Sequence, residues 1–222
     1  FSSTTTLSGG AYFTVGSVSD GGRLDNQEEL YMQYAYGLDL NSSFTGEDLF
    51  YAGIEAGNAS GPLANMDSAE SGDLNVTSLF YNFPVGDLSV TVGPLVDQDD
   101  VIAATASQYS DTFRLTALPW SIGGRETGPG VAVEWENDNG VIASASFVSV
   151  NGATSTIGIA GDNGDDVTTL TLGYNGEGFG GGIIVTSNDG EAAGSTAYDS
   201  FAGGIYYTPE SVDATFSVVY DT

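Results

Sequence analysis

The sequence has no histidine, no cysteine and no lysine. Its only cationic side chains are three arginines, Arg23, Arg114 and Arg125, set against 30 Asp and Glu. Each absence removes a class of chemistry. Without His there is no Ser-His triad, and without Cys there is no thiolate nucleophile. Lacking both, the chain also has no imidazole or thiolate ligands for an ordinary zinc site. Without Lys there is no Schiff base and no P-loop lysine to hold phosphates. A formal net charge of −27 repels nucleic acid, because phosphate binding needs Lys and Arg to displace counterions. Zero cysteine forbids disulfides but identifies no compartment. No apolar run approaches the length of a transmembrane helix, and no basic region followed by an apolar one opens the chain as a signal peptide would.

What is present can fold. Hydrophobic residues make up 41% of the chain and aromatics 11%, too many for a disordered polymer. The 222 residues fit one domain, 1–222, or at most two small ones. Acidity by itself also suits a soluble protein from a saline habitat, since net charge reports on solubility and not on fold.

Period-two alternation runs along almost the whole chain, and helical periodicity is scarce. In 30–44, Met32, Tyr34, Tyr36, Leu38 and Leu40 share one face, opposite Gln33, Ala35, Gly37, Asp39 and Asn41. In 49–57, Phe50, Ala52, Ile54 and Ala56 oppose Tyr51, Gly53, Glu55 and Gly57. Further strands are predicted at 5–18, 75–84, 88–96, 129–137, 140–152, 167–175, 178–187, 201–208 and 212–221, eleven in all. Short turns rich in Gly, Asn, Asp or Pro fall at Thr45–Asp48, Val85–Asp87, Asn137–Gly140, Asn175–Gly178 and Pro209–Ser211. Long loops at 19–29, 58–74, 97–128, 153–166 and 188–200 alternate strictly with those turns.

Keeping every long loop at one end is the habit of an up-and-down transmembrane β-barrel, with apolar residues outward and polar ones toward a wet lumen. The barrel must close its edges, because an unpaired backbone group in hydrocarbon costs several kcal/mol. Aromatics near predicted strand ends, Tyr31, Tyr34, Tyr36, Phe80, Tyr81, Phe83, Tyr206, Tyr207 and Tyr220, look like interfacial girdles. Only six carboxylates fall inside predicted strands, Asp39, Glu55, Glu134, Glu136, Asp213 and Asp221, and the first four lie on the polar face. A soluble sandwich would scatter charge over its exposed faces.

Two stretches carry a family resemblance. Asn41–Asn58 reads NSSFTGEDLFYAGIEAGN, and Ser78–Pro94 reads SLFYNFPVGDLSVTVGP. Both resemble hairpins of the cyanobacterial carbohydrate-selective (OprB-type) porins, also called iron-uptake porins. Weaker matches lie at the opening FSSTTTLSGGAYFTVG, at Leu170–Val185 and at Gly203–Tyr220. The resemblance implies an outer-membrane location, a trimer, and sugars or iron as permeating solutes. Departures are that the family's surface-layer-homology domain is absent, family barrels are longer, and the chain ends Tyr-Asp-Thr. Bacterial barrels have an even strand number, so eleven strands point to part of a larger barrel in preference to a small closed one. Asp111–Ala117 could supply a twelfth strand only by breaking the loop alternation.

A pore needs a lumen, a constriction and a field rather than catalytic groups. Asp39, Glu55, Glu134 and Glu136 would bias a passive channel for small hydrophilic solutes toward cations, although they could equally just hydrate the lumen. Arg114 and Arg125 lie in the longest loop, where they either face luminal acids from an inward constriction or neutralise loop acids such as Asp111 and Glu126. No cofactor is expected. The acidic loop segments Asp97, Asp99 and Asp100, and Asp162, Asp165 and Asp166, offer oxygens suited to Ca²⁺, but without EF-hand spacing. The alternative from another class is an extracellular structural or adhesive β-protein that pairs sheet edges into a filament or sheath. A glycosidase built on paired carboxylates is more distant, since no spacing singles out a pair.

Overall fold

The computed structural model describes residues 4–17, 29–60, 63, 72–104, 126–211 and 216–222. Eleven strands form one antiparallel sheet in sequence order. They are β1 (Thr4–Gly16), β2 (Tyr31–Ser43), β3 (Leu49–Gly57), β4 (Asn75–Val85), β5 (Leu88–Asp97), β6 (Thr127–Glu136), β7 (Val141–Ser149), β8 (Asp166–Gly176), β9 (Phe179–Asn188), β10 (Tyr198–Tyr207) and β11 (Phe216–Asp221). This is the predicted architecture, with strand ends shifted by a few residues. Among the described residues, no ladder joins β1 to β11. The candidate twelfth strand at 111–117 and the residue Asp213 lie outside the described residues. No described helix is long and apolar enough to cross a membrane.

Short turns with local side-chain anchors hold the hairpins. In the β6–β7 turn, Asn137 Oδ1 accepts from the backbone N–H groups of Asn139 at 3.0 Å and Val141 at 2.9 Å. Gly140 there has φ +81°, and an added Cβ would sit 2.2 Å from the Asn175 carbonyl of the next hairpin. Only glycine meets both demands.

Register assigns the two faces, because residues directly opposite on adjacent strands share a side. Thr171 of β8 pairs with Ser144 of β7 and with Ile184 of β9, all buried and all inward. One residue along, Leu172 pairs with Ala143 and Ile183. Leu172 and Ile183 are 52% and 45% exposed. The same inversion holds at Phe13, Met32, Val92, Val131, Leu170, Val185, Ile205 and Val218, all large, apolar and exposed. No Asp or Glu stands among the outward residues in the middle of any described strand. An apolar exterior around a polar interior is the arrangement a sheet adopts in lipid.

The outward aromatic ring contacts lie at the short-turn end. Phe44 lies 6.4 Å from Phe50 and 6.3 Å from Tyr81, Tyr81 stacks on Phe83 at 5.5 Å, and Tyr174 meets Phe179 at 5.2 Å. Three residues expected in the girdle are elsewhere. Tyr31, Phe80 and Tyr206 face inward, since their register partners and hydrogen bonds belong to the inner wall. Asp97, Asp166 and Asp199, expected in loops, prolong strands at the long-loop end.

Ile183→Arg places a charge in the outward band and is expected to lower stability by about 2–4 kcal/mol. Denaturant unfolding of the refolded protein in lipid vesicles measures this; a loss equal to that of a substitution in a long loop would show that the band does not face lipid.

Candidate functional site

The inner wall starts from small polar side chains. Ser144 Oγ and Thr171 Oγ1 lie 2.6 Å apart, and Thr169 Oγ1 and Thr186 Oγ1 3.0 Å apart. These pairs satisfy each other on the buried face, as polar groups away from bulk water must. Toward β4–β6 the wall becomes apolar. Phe80, Val96, Ala132 and Val148 come from four successive strands and pack with Val101 into a small core, joined by Tyr51, whose ring centre is 4.9 Å from that of Phe80. A bulge after Gly93 puts Val96 inside, opposite Gly128, where strict alternation from Val92 would have put it outside.

Val101 is not on the wall. It belongs to a single turn of 3-10 helix, Gln98–Val101, at the start of the longest loop. The Gln98 backbone N–H bonds the Glu126 carbonyl at 3.1 Å, so the two limbs of this loop begin side by side. The Gln98 side chain is fully buried. Its Nε2 faces the Val167 carbonyl and Thr169 Oγ1 at 3.3 Å, and Ser146 Oγ at 3.4 Å. Further on, the Ala103 N–H donates to Ser144 Oγ at 3.1 Å, and Ala104 is 1% exposed against Gly173 and Gly182. Residues 98–104 therefore form a strap along the inside of β7, β8 and β9. From Val167 to Gly173 it descends six strand residues, about 20 Å at 3.3 Å per residue. A second loop also turns in at the long-loop end: Gln33 Nε2 donates to the Leu63 carbonyl at 2.8 Å, and Tyr31 Oη donates to the Ser60 carbonyl at 3.2 Å while accepting from Leu63 N–H at 3.0 Å.

All four carboxylates expected in the lumen are on inward register positions. Asp39 and Glu55 lie on neighbouring strands, and Asp39 Oδ1 accepts from Tyr51 Oη at 2.7 Å. Glu134 and Glu136 alternate along β6 and pair with Ser144 and Ile142. A cleft of about 580 Å³ at the short-turn end brings Glu136 together with Asp138 and Glu177. Asp100, on the strap, joins this side of the wall: Ser78 Oγ donates to its Oδ2 at 2.9 Å. Burial against the wall pushes the Asp100 carboxyl above its usual range, the nearby Asp39 charge adds to that, and the Ser78 hydrogen bond only partly opposes it. Arg23, Arg114 and Arg125 lie outside the described residues, so the constriction roles expected of Arg114 and Arg125 fall there too.

The acidic loop segments make hydrogen bonds to nearby backbone and hydroxyl groups. Asp97 caps the 3-10 turn through the Asp99 N–H at 3.1 Å. Asp165 accepts from Ala192 N–H at 2.9 Å and Ser195 Oγ at 2.7 Å, tying two long loops together. Asp189 Oδ1 receives the Asp166 N–H at 3.0 Å. Among the described residues, no group of three or more carboxylates is placed to hold a metal ion, so Asp97, Asp99, Asp100, Asp162, Asp165 and Asp166 do not gather as a Ca²⁺ site would require.

The turn in the first hairpin motif also resolves. Asp48 is buried. Its Oδ1 accepts from Ser43 Oγ (2.8 Å), Phe44 N–H (3.0 Å), Thr45 N–H (2.7 Å) and Thr45 Oγ1 (2.7 Å), and its Oδ2 from Tyr81 Oη (2.5 Å). Burial opposes ionisation, but the hydrogen bonds from Tyr81, Thr45 and Ser43 outweigh it and hold the carboxyl well below the usual carboxylate range.

No family model and no curated protein matches the chain, so the likeness to cyanobacterial porins rests on its hairpin motifs alone. Solved structures do match. A mutant of the Rhodopseudomonas blastica porin superposes with a TM-score of 0.65 at 14% identity, covering 98% of this chain and 74% of that one. A loop-deleted form of OmpT, an outer membrane protein of Vibrio cholerae, superposes with a TM-score of 0.56 at 16% identity, covering 99% and 68%. The fold is that of outer-membrane porins. The strap lies along the inner face of the sheet, and the sequence suggested an inward segment only through the length of 97–128. Its one local signal was Gln98, an uncharged polar residue among Asp97, Asp99 and Asp100.

Two expectations follow. Gln98→Ala strips donors from buried acceptors on β8 and is expected to cost about 1–3 kcal/mol; an unfolding midpoint unchanged from wild type would show that the side chain anchors nothing. For Asp48, a folded-state pKa below the unfolded value stabilises the protein fully above about pH 4. That contribution is lost as pH falls toward the depressed folded value. Asp48→Asn is therefore expected to lower stability at neutral pH, with the gap to wild type closing in strong acid, as read by unfolding across a pH series. A gap that is the same at all pH values would count against the ionised carboxylate.

Proposed function

We propose that the protein is an outer-membrane channel for passive diffusion of small hydrophilic solutes, with a preference for cations and no enzymatic role. The observation that carries the proposal is the placement of charge. Asp39, Glu55, Glu134 and Glu136 stand on the inner face, Asp100 adds another carboxylate from the strap, and the outward band has none in mid-strand. Carboxylates lining a passage with low-dielectric walls concentrate cations and exclude anions. The strap narrows the passage from the β7–β9 side.

The partners are outer-membrane lipid around the apolar band and small solutes or cations within. The trimer, and sugars or iron as solutes, follow from the resemblance to cyanobacterial porins and are expectations for purified protein. The comparisons lend no support to a filament or sheath subunit.

Reversal potentials across planar bilayers in a salt gradient test the reading. The wild-type channel is expected to prefer cations, and Asp39→Asn combined with Glu134→Gln to shrink that preference while channels still form. Anion preference in the wild type, or a selectivity indifferent to both substitutions, would sink the cation bias. Failure of the folded protein to conduct at all would sink the channel.

A further inference from the structure

Gly173 and Gly182 face each other across β8 and β9, and Gly182 faces Gly204 across β9 and β10. All three are inward by register, giving a strip of wall without side chains. Neither Gly173 nor Gly182 has positive φ, and neither lies in a turn. Glycine in a strand interior weakens it and commonly marks a close approach by another backbone. Here the approaching chain is the strap. A Cβ added to Gly173 would come within 2.7 Å of Ala104 Cβ, and one added to Gly182 within 2.8 Å. The two residues differ in one respect: at Gly173 the backbone carbonyl of Gly181 is also only 2.7 Å away, whereas at Gly182 the next atom, the Leu172 carbonyl, is 3.2 Å away. Gly182 is thus held to glycine chiefly by Ala104.

We propose that Gly173 and Gly182 form a notch that seats Ala104, and that this fit fixes how far the strap stands from the wall and so limits the size of the passage. Gln98 anchors the near end of the strap by hydrogen bonds, and Ala103 bonds Ser144 just before the notch. With both points held, the size of one side chain at 104 and the bare wall at 173 and 182 determine the standoff. Gly182 is a positioning residue: it acts on solutes through the strap and touches none itself. A methyl at 182 pushes Ala104 toward the lumen axis, and removing the methyl at 104 makes room again.

The proposal builds on the channel reading, and its test separates the two. Gly182→Ala is expected to lower single-channel conductance in planar bilayers with heat-modifiable gel mobility unchanged, and Ala104→Gly in the same chain to return conductance toward wild type. Unchanged conductance in Gly182→Ala, or a change that Ala104→Gly does not reverse, would overturn the notch. A second measurement needs neither conduction nor a tolerated alanine. The chain has no cysteine, so Ala104→Cys with Gly182→Cys introduces the only thiols. Oxidation of the folded protein in detergent is expected to join the two peptides, as found by proteolysis and mass spectrometry. Folded protein that yields no such crosslink refutes the seat, whereas a crosslink in a protein that never conducts would retain the seat and refute the channel.

Discussion

Everything in this molecule depends on one ladder of backbone hydrogen bonds that runs from β1 to β11 with each strand paired to its neighbour in sequence. In hydrocarbon no water can satisfy a backbone N–H or C=O, so a strand there must find its partners in other strands. Once that ladder is set, side chains have only two directions, and the period of two fixes which residues face outward and which face inward. Leu172 and Ile183 lie outside for the same reason that Thr171 and Ile184 lie inside. The strap depends on this in turn, because Gln98 and Ala103 bond to Thr169, Ser146 and Ser144 only where the register has turned those groups inward.

The ladder was legible in the sequence because it leaves a strong alternating signal and needs turn residues at each reversal. Strand β3 falls where alternation from Leu49 to Gly57 places it, and the turns at Asn137–Gly140 and Asn175–Gly178 are where Gly and Asn mark them. The inward register of Asp39, Glu55, Glu134 and Glu136 was legible for the same reason. What stayed hidden has no periodic trace. Val96 is turned inward by a bulge after Gly93; Gly93-Pro94 marks an irregularity there, but the alternation does not show which way the following residues turn. Phe80 is a strand aromatic like Tyr81 and Phe83, and only the core around Val101 explains why its face carries an aromatic at all. Beyond the length of 97–128 the strap left little to read, because its partners, Ser144, Thr169 and Gly182, are far from it in sequence and ordinary in type. Gly173 and Gly182 carry no local mark that sets them apart from the other strand glycines, although Ala104 lies on both.

Two aspartates show how the same side chain takes opposite electrostatic roles. Asp48 sits in a tight turn where five donors converge on its oxygens, so the ionised form is favoured and the turn is fixed. Asp100 has one described donor, Ser78, and shares its side of the wall with Asp39, so the ionised form is disfavoured. The first is structural and lies in a motif that resembles porin hairpins. The second lies on the inner face, where like charge and burial act together. Counting carboxylates cannot separate these cases; their donors and neighbours do.

The acidity that first suggested a salt-adapted soluble protein can now be judged by position. Such a protein would gain from carboxylates on its exposed strand faces, where water and counterions reach them. Here the exposed mid-strand positions are Phe13, Val131, Leu170, Ile205 and their neighbours, and the described acids occupy turns, loops, strand ends and the inner wall. A large contiguous apolar exterior is unfavourable in water, while a charge near the bilayer midplane costs about 2–4 kcal/mol. The two penalties have opposite signs for the same surface, and this surface avoids only the second. The fold can match porins at 14–16% identity because a sheet of this kind constrains the chemical class at alternate positions and leaves the individual residues free to change.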